Sequence, residues 1–410
     1  MNTALFIAKR LAFSKKQSFS RFIIRLSVGA TALGVAAMII TLCFVNGFQE
    51  TVAEKVYSFW GHIRVQHYEP DKSMMAEEVP ISKNDTVYQL IKSTPEISKV
   101  QSFATKSGVI EKNKNIEGIL FKGIEADYDS TLLKKMMVAG SWLNFTDSLY
   151  SKEIVLSQQL CTLLQIKLND TIQLYFISTE DGSRTFRKLK VVGIYKTGIE
   201  EYDKLFAIGD LRLIRRINNW EPDQIGGYEV FIHDYTKADT VNTVLLNALP
   251  TQWMSRTIRS VYPNIFDWLN IQDVNRNVIF IIMAIVAVIN LITCLLILIL
   301  ERTNMIGVLK SLGAPDGTIM NLFLYYATVI AAKGIGYGFI IGTGIVLLQQ
   351  YTGFISLDET AYYVSTAPVK IIWWQLGAVC ASTLVVCYIV LIIPALLVKK
   401  INPIKAIQFR

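Results

Sequence analysis

Three histidines, scattered acidic pairs and five cysteines are the residues with chemistry suited to catalysis or metal binding. His62 and His67 are five apart, which fits neither strand alternation nor one helix face, and His233 lies far along the chain. That is not the ligand spacing of a zinc site. The sequence contains no Gly-x-Ser-x-Gly elbow, no His-Glu-x-x-His pair and no Gly-rich phosphate loop ending in Lys-Ser/Thr. Adjacent acids such as Glu200 and Glu201 read as solvated surface. The chain is therefore expected to be no enzyme, with no metal and no cofactor of its own.

A different kind of chemistry is carried by Glu301–Thr318. Met305, Leu309 and Leu312 fall at i, i+4 and i+7, one face of a short helix that Gly313 and Pro315 should stop. Arg302 and Lys310 add cationic edges. Such a helix either lies on a lipid surface or docks in a groove on a partner, and the residues alone leave both open.

The elements around this segment are apolar. Of 410 residues, 52% are hydrophobic and 18% charged, and mean hydropathy is +0.36. A disordered chain is excluded, because so much apolar surface cannot stay solvated. Four runs are long enough to span a bilayer as helices: 22–48, 278–300, 319–349 and 371–398. Between the first two lies a polar segment, 49–277, large enough to bury its own core.

Charge orients the chain. Residues 1–25 carry six basic residues and 399–410 carry four, with no acid in either stretch, whereas 50–277 has 27 basic and 29 acidic residues. The positive-inside rule places both ends in the cytoplasm. The expected order is an amphipathic cytoplasmic segment 1–21, the first span, a large external domain 49–277, the second span, the inner helix 301–318, the third span, an external loop 350–370, the fourth span and a cytoplasmic tail 399–410. The basic excess flanks the membrane, so nucleic acid is not an expected partner. The first run has no small-x-small cleavage site and reads as a signal anchor. Lys333 stands mid-span, where a charge is costly, and is expected to face protein or a polar cavity.

The external segment reads as α+β. A helix is expected from Asp85 to Ser93, strands at Val100–Ile110 and Ile116–Ile124, and a helix at Glu153–Leu164. Strands at Ile172–Ile177 and Arg187–Ile194 flank the polar turn Thr179–Ser183, forming a hairpin. A short strand is expected at Glu229–His233 and a helix at Lys237–Leu249.

Several runs carry a resemblance. Glu301-Arg302 followed by Ile306-Gly307-Val308-Leu309-Lys310-Ser311-Leu312-Gly313-Ala314 resembles the signature of FtsX/MacB-superfamily permeases of ABC transporters, with Asn304–Met305 replacing the usual acidic residue. Pro394-Ala395 and Ile401–Ile407 resemble the closing motif of that superfamily. Phe6–Arg10, Ile24–Gly29, Leu33–Ala36 and Val45-Asn46-Gly47-Phe48 resemble the opening run of lipoprotein-releasing permeases of the LolC/LolE type. Gly61-His62-Ile63, Val192–Tyr195, Gly198 and Glu201-Tyr202-Asp203 resemble later motifs of the same group.

The resemblance implies a permease subunit of the bacterial inner membrane that extracts lipoproteins from the outer leaflet and passes them to a periplasmic carrier. It implies a second permease, the same chain or a paralogue, and a cytoplasmic ABC ATPase dimer that binds ATP and Mg. Arg302, Met305, Ile306, Leu309, Lys310, Leu312 and Gly313 would form the coupling helix against that ATPase. Met38, Leu42, Val45, Asn46, Phe48, Phe280 and Met283 would line the cavity for acyl chains. Thr179, Glu180 and Arg184 would form the carrier-binding hairpin, although the tip is short and lacks prolines. Rival readings from the same superfamily are a MacB-like efflux or peptide-export permease and an FtsX-like regulator of a cell-wall hydrolase.

Overall fold

The computed structural model describes residues 19–68, 79–112, 115–146, 149–177 and 184–400. They form two compact units. One comprises Thr51–Asp267 with Leu357–Ser365; the other comprises the chain up to Glu50, Trp268–Ser356 and the chain from Thr366. The expected segment 1–21 lies outside the described residues up to residue 18, as does the tail from residue 401.

Four long helices are apolar enough to cross a membrane. They run over Phe19–Trp60, Pro263–Glu301, Asp316–Thr352 and Trp373–Ala395. The first ends at Gly61, whose positive φ of 69° suits glycine and lets its N–H bond Tyr57 O at 2.7 Å. A nine-residue helix, Thr303–Ser311, joins the second and third and stops at Gly313, φ 86°.

The helical unit has two apolar clusters. One joins Leu291, Leu295 and Ile299 of the second helix to Ile319, Phe323 and Ile330 of the third and Leu391 and Ala395 of the fourth. The other joins Val35, Met38, Ile39 and Leu42 of the first to Ile335, Val346, Leu376 and Val379. Small residues bring the first and third helices together. A methyl group on Gly338 would stand 2.6 Å from Ala32 O, and one on Gly334 would stand 2.7 Å from Thr31 Cβ.

The second unit is α+β. Its strands are β1 Ile63–His67, β2 Ile81–Ser82, β3 Ile97–Lys112, β4 Asn115–Ile124, β5 Met137–Gly140, β6 Glu153–Ser157, β7 Thr171–Ile177, β8 Arg184–Tyr195, β9 Phe206–Asp210, β10 Gln224–Ile225, β11 Gly227–Ile232 and β12 Trp253–Thr257. Ten of them form one sheet in the order β12-β1-β11-β3-β4-β9-β6-β8-β5, with β7 paired to β3 and β8. Most pairs are antiparallel; β4–β9 and β6–β8 are parallel. Helices Asp85–Lys92, Gln158–Leu164, Leu211–Ile217 and Ala238–Ala248 bury Ile91, Leu164, Ile214 and Leu245 in the core of this unit.

The expected helix Glu153–Leu164 is corrected. Its first half is strand β6, and the helix begins only at Gln158. Ile154 and Val155 are β-branched, and both they and Leu156 are buried. Ser157 then caps the helix, its Oγ accepting from Leu160 N at 3.0 Å. Within the expected loop 350–370, residues 357–365 group with the sheet unit. There Lys196 Nζ pairs with Glu359 at 2.5 Å, and Lys55 Nζ donates to Tyr363 O at 2.6 Å.

Candidate functional site

The short helix Thr303–Ser311 presents a different face from the expected one. Ile306 is fully buried, and Met305 and Leu309 pack against the helical core beside Leu298 and Phe323. Arg302 lines a small crevice with Met305 and Tyr326. Lys310 is engaged within the chain: its ammonium pairs with Asp316 at 3.0 Å and donates to Val398 O at 3.0 Å. The face left open is Asn304, Val308, Ser311 and Leu312, with Val308 45% and Leu312 78% exposed. Gly313 follows as an exposed stop. The expectation of one apolar face over Met305, Leu309 and Leu312 is therefore corrected. The helix has apolar residues on both sides, and burial takes the larger share inward.

The residues expected to line the acyl-chain cavity are not open within this chain. Met38, Leu42, Val45 and Phe48 are all buried within this chain, and Phe280 and Met283 pack partly against the same cluster. Hydropathy alone cannot say which side of a uniformly apolar helix meets its neighbours. One of the apolar faces that remain open lies on the second helix, where Val278, Ile281, Ile282, Ile285 and Ile289 recur. Lys333 lies on the exposed side of the third helix, so the expectation that it turns into protein is not met within this chain.

Asn46 holds the outer half of the first helix to the fourth, its Nδ2 donating to Gln375 Oε1 at 2.6 Å. Beside it Gly47 meets the strap before the fourth helix. A methyl there would stand 2.6 Å from Val369 Cα and 2.7 Å from the Pro368 carbonyl. Lys370 N bonds Cys43 O at 2.9 Å, and Lys370 pairs with Glu50. Sequence reasoning missed this strap, because nothing local ties residue 47 to residue 369.

Thr179 and Glu180 lie outside the described residues. Arg184 opens β8, exposed and paired in register with Ile177. Along the hairpin, Tyr175 and Phe186 face each other across the strands with ring centroids 6.0 Å apart, and Ile177 and Phe186 are exposed.

The sheet unit has a buried ionic centre that the sequence did not reveal. Lys122 Nζ lies 2.7 Å from Glu229 Oε1, and both side chains are fully buried. Tyr128 OH donates to Glu229 Oε2 at 2.7 Å. Lys122 also donates to Phe59 O, in the last turn of the first helix, which favours a cation. Arg64 lies between Trp60 and Phe103, 4.3 Å from each ring. Lys122 stands in the otherwise uncharged run 118–124, and that was the available signal. Its partner is 107 positions away.

His62 Nδ1 accepts from Ile232 N at 3.2 Å, and its ring lies 4.3 Å from that of Tyr57. Burial pulls its pKa down to about 4. Burial pushes Asp203 above its ordinary range, against the bonds it accepts from Thr197 and Gly198. These groups hold the fold together; nothing in their arrangement forms a nucleophile with its base.

Four spanning helices with an α+β domain between the first and second define a polytopic membrane protein of the permease class. The family described as MacB-like periplasmic core domain matches residues 26–242, just over half of the chain, and the FtsX-like permease C-terminal family matches residues 277–403. The chain belongs to this family of FtsX-like and MacB-like permeases. Among its relatives is a lipoprotein-releasing system transmembrane protein LolE from Haemophilus influenzae, 24% identical and covering 100% of both chains. A LolC from Xylella fastidiosa is 20% identical over 97% of each, and the Haemophilus influenzae LolC is 22% identical over 99% of this chain and 98% of its own. The periplasmic region of MacB from Actinobacillus actinomycetemcomitans is 13% identical, with a TM-score of 0.34 over 50% of this chain and 91% of that one, a likeness too slight to argue from.

Proposed function

We propose that this chain is the permease subunit of an ATP-driven ABC complex that extracts lipoproteins from the outer leaflet of the inner membrane and passes them to a periplasmic carrier. The observation that carries the reading is the end-to-end match to a chain named as part of a lipoprotein-releasing system, with neither chain left over. ATP and Mg belong to a separate cytoplasmic ATPase dimer, and a second permease completes the pair. Both termini lie in the cytoplasm in this reading, which the basic ends support.

In this reading the ATPase grips the open face of the short helix. Val308 and Leu312 enter its groove with Asn304 and Ser311 beside them, while Met305, Ile306, Leu309 and Lys310 fasten the helix to the spans. Acyl chains run along the uncharged face Val278–Ile289 of the second helix. They reach Met38, Leu42, Val45 and Phe48 only when the first helix parts from the third and fourth. The carrier meets the hairpin of β7 and β8, where Tyr175, Ile177 and Phe186 offer apolar area beside Arg184.

Affinity capture of the full chain from detergent-solubilised native membranes, with mass spectrometry of what is retained, tests this. An ATPase with acylated lipoproteins and a carrier supports it. The MacB-like periplasmic core match favours a rival, an export permease, for which the capture would return an ATPase and no lipoprotein. Capture without any ATPase would overturn both. Leu312→Glu is expected to lower ATPase retention about tenfold or more while leaving the chain folded.

A further inference from the structure

The outer ends of the third and fourth helices carry four aromatic side chains that the chain itself leaves open. Tyr351 and Trp374 are 85% and 72% exposed, and Phe354 and Trp373 are exposed beside them in the fold. The backbone fixes their place. Gly353, φ 59°, ends the third helix. Gln349 Nε2 then donates to Ala367 O at 3.0 Å, its Oε1 accepts from Ile355 N at 3.0 Å, and Ser356 bridges to Thr366. The end of one helix is thereby tied to the strap that leads into the next.

Their level along the helices is fixed as well. Asn46 bonds Gln375, next to Trp374, while Lys370 bonds Cys43 O and pairs with Glu50. Gly342 lies against Ala36 and Ile39, which brings Tyr351, about two and a half turns further out, to the same height. At that height the uncharged stretch 26–48 of the first helix gives way to Glu50. At about 1.5 Å per residue the stretch is about 34 Å long, against a hydrocarbon core of about 30 Å. The four rings thus stand where the core ends. Lys333 lies about 27 Å inward from Tyr351 along the third helix. Its neighbour Gly334 packs on Val28 and Thr31, just outward from Arg25. An exposed lysine at that depth reaches the inner headgroups along its own stem.

Residue type and direction decide what covers the rings. Trp and Tyr join an apolar ring to a polar tip, which suits the boundary between acyl chains and headgroups. Trp373 and Trp374 are consecutive in a helix, so they point about 100° apart, yet both are open. A flat protein face would cover one of them; a lipid layer surrounds both.

We propose that Tyr351, Phe354, Trp373 and Trp374 form an interfacial anchor that binds the outer headgroup layer. The indole N–H and phenol groups donate to lipid ester carbonyls and phosphate, and the rings lie among the first methylenes. The anchor sets the depth of the chain in the bilayer. It rests on the chain spanning a membrane and is independent of what the chain transports.

Fluorescence of the full chain in phosphatidylcholine nanodiscs tests it, with brominated phosphatidylcholines and aqueous iodide as quenchers. Bromine near the headgroup end of the acyl chain is expected to quench tryptophan emission more than bromine near the methyl end. Of the seven tryptophans, Trp60 and Trp253 are buried and Trp142, Trp220 and Trp268 half-buried, so the exposed pair dominates that quenching. Trp373→Phe with Trp374→Phe keeps a ring at both positions and should lose most of it with the melting temperature unchanged. Stronger quenching from the methyl end would put the rings inside the core, and quenching of the pair by iodide alone would put them in water. Shielding from both lipid and iodide would mean that a protein face, such as a second copy, covers them. Each of these, or unchanged quenching in the double variant, would overturn the proposal.

Discussion

Lys122 and Glu229 neutralise each other where water cannot reach. Removing one partner strands a charge, which costs about 3–5 kcal/mol, whereas removing both costs far less. Lys122→Met should therefore destabilise the sheet unit strongly, and Lys122→Met with Glu229→Gln should recover most of the loss, read as tryptophan-fluorescence melts of the full chain. His62 gives a pH prediction. Its pKa is about 4 when folded and about 6.5 when unfolded. Between those values the unfolded state binds the extra proton, so stability rises with pH through this window. It is fully present above about pH 6.5 and falls as pH drops toward 4, by up to about 1.4 kcal/mol per unit. Melting temperature measured from pH 7 to pH 5 should fall in the parent and fall less in His62→Gln. None of this was legible in the sequence beyond the oddity of a lysine in the uncharged run 118–124, because pairing across the sheet is a long-range fact.

At the scale of elements, close packing makes the sharpest tests. Gly338→Val would press on Ala32 O and Val35, and overpacking of this kind costs about 1–3 kcal/mol. Gly336 and Gly344, on the open side of the same helix, meet nothing within 4 Å. Alanine there should be neutral or slightly stabilising in a detergent melt, since glycine is the poorer helix former. Gly47→Ala should also destabilise, since its methyl would meet the backbone of Pro368 and Val369, which cannot rotate away. The helices themselves were readable, because twenty apolar residues in a row have few other fates. Their facing was not. Ile39 and Ile281 are identical in hydropathy, yet one is buried and the other open. The short helix shows the same limit: its period was clear, but burial of Met305 and Leu309 followed from neighbours distant in sequence. Glu153–Leu164 failed for a local reason, since a buried strand leading straight into a helix reads as one apolar run.

For the whole molecule, charge asymmetry predicts the orientation. A cysteine placed at Val138 should react with an impermeant maleimide in spheroplasts with an intact inner membrane, and one at Leu312 only after permeabilisation; the reverse pattern would invert the topology. The layout of spans and external domain was legible because both depend on composition summed over long windows. The strap at Gly47 and the ionic centre were not, because each joins distant positions. The sheet also fixes an order of events during synthesis. β1 follows directly on the first helix, yet both of its neighbours, β11 and β12, come much later, the last ending at Thr257. At the usual pace of about 5–20 residues per second, roughly 10–40 seconds separate the making of β1 from the arrival of its partners. Over that interval Val65 and its neighbours have no strand beside them. A chaperone that shields extended chain in this compartment would thus act on this protein early, before residue 257 emerges, and would have nothing to hold afterwards.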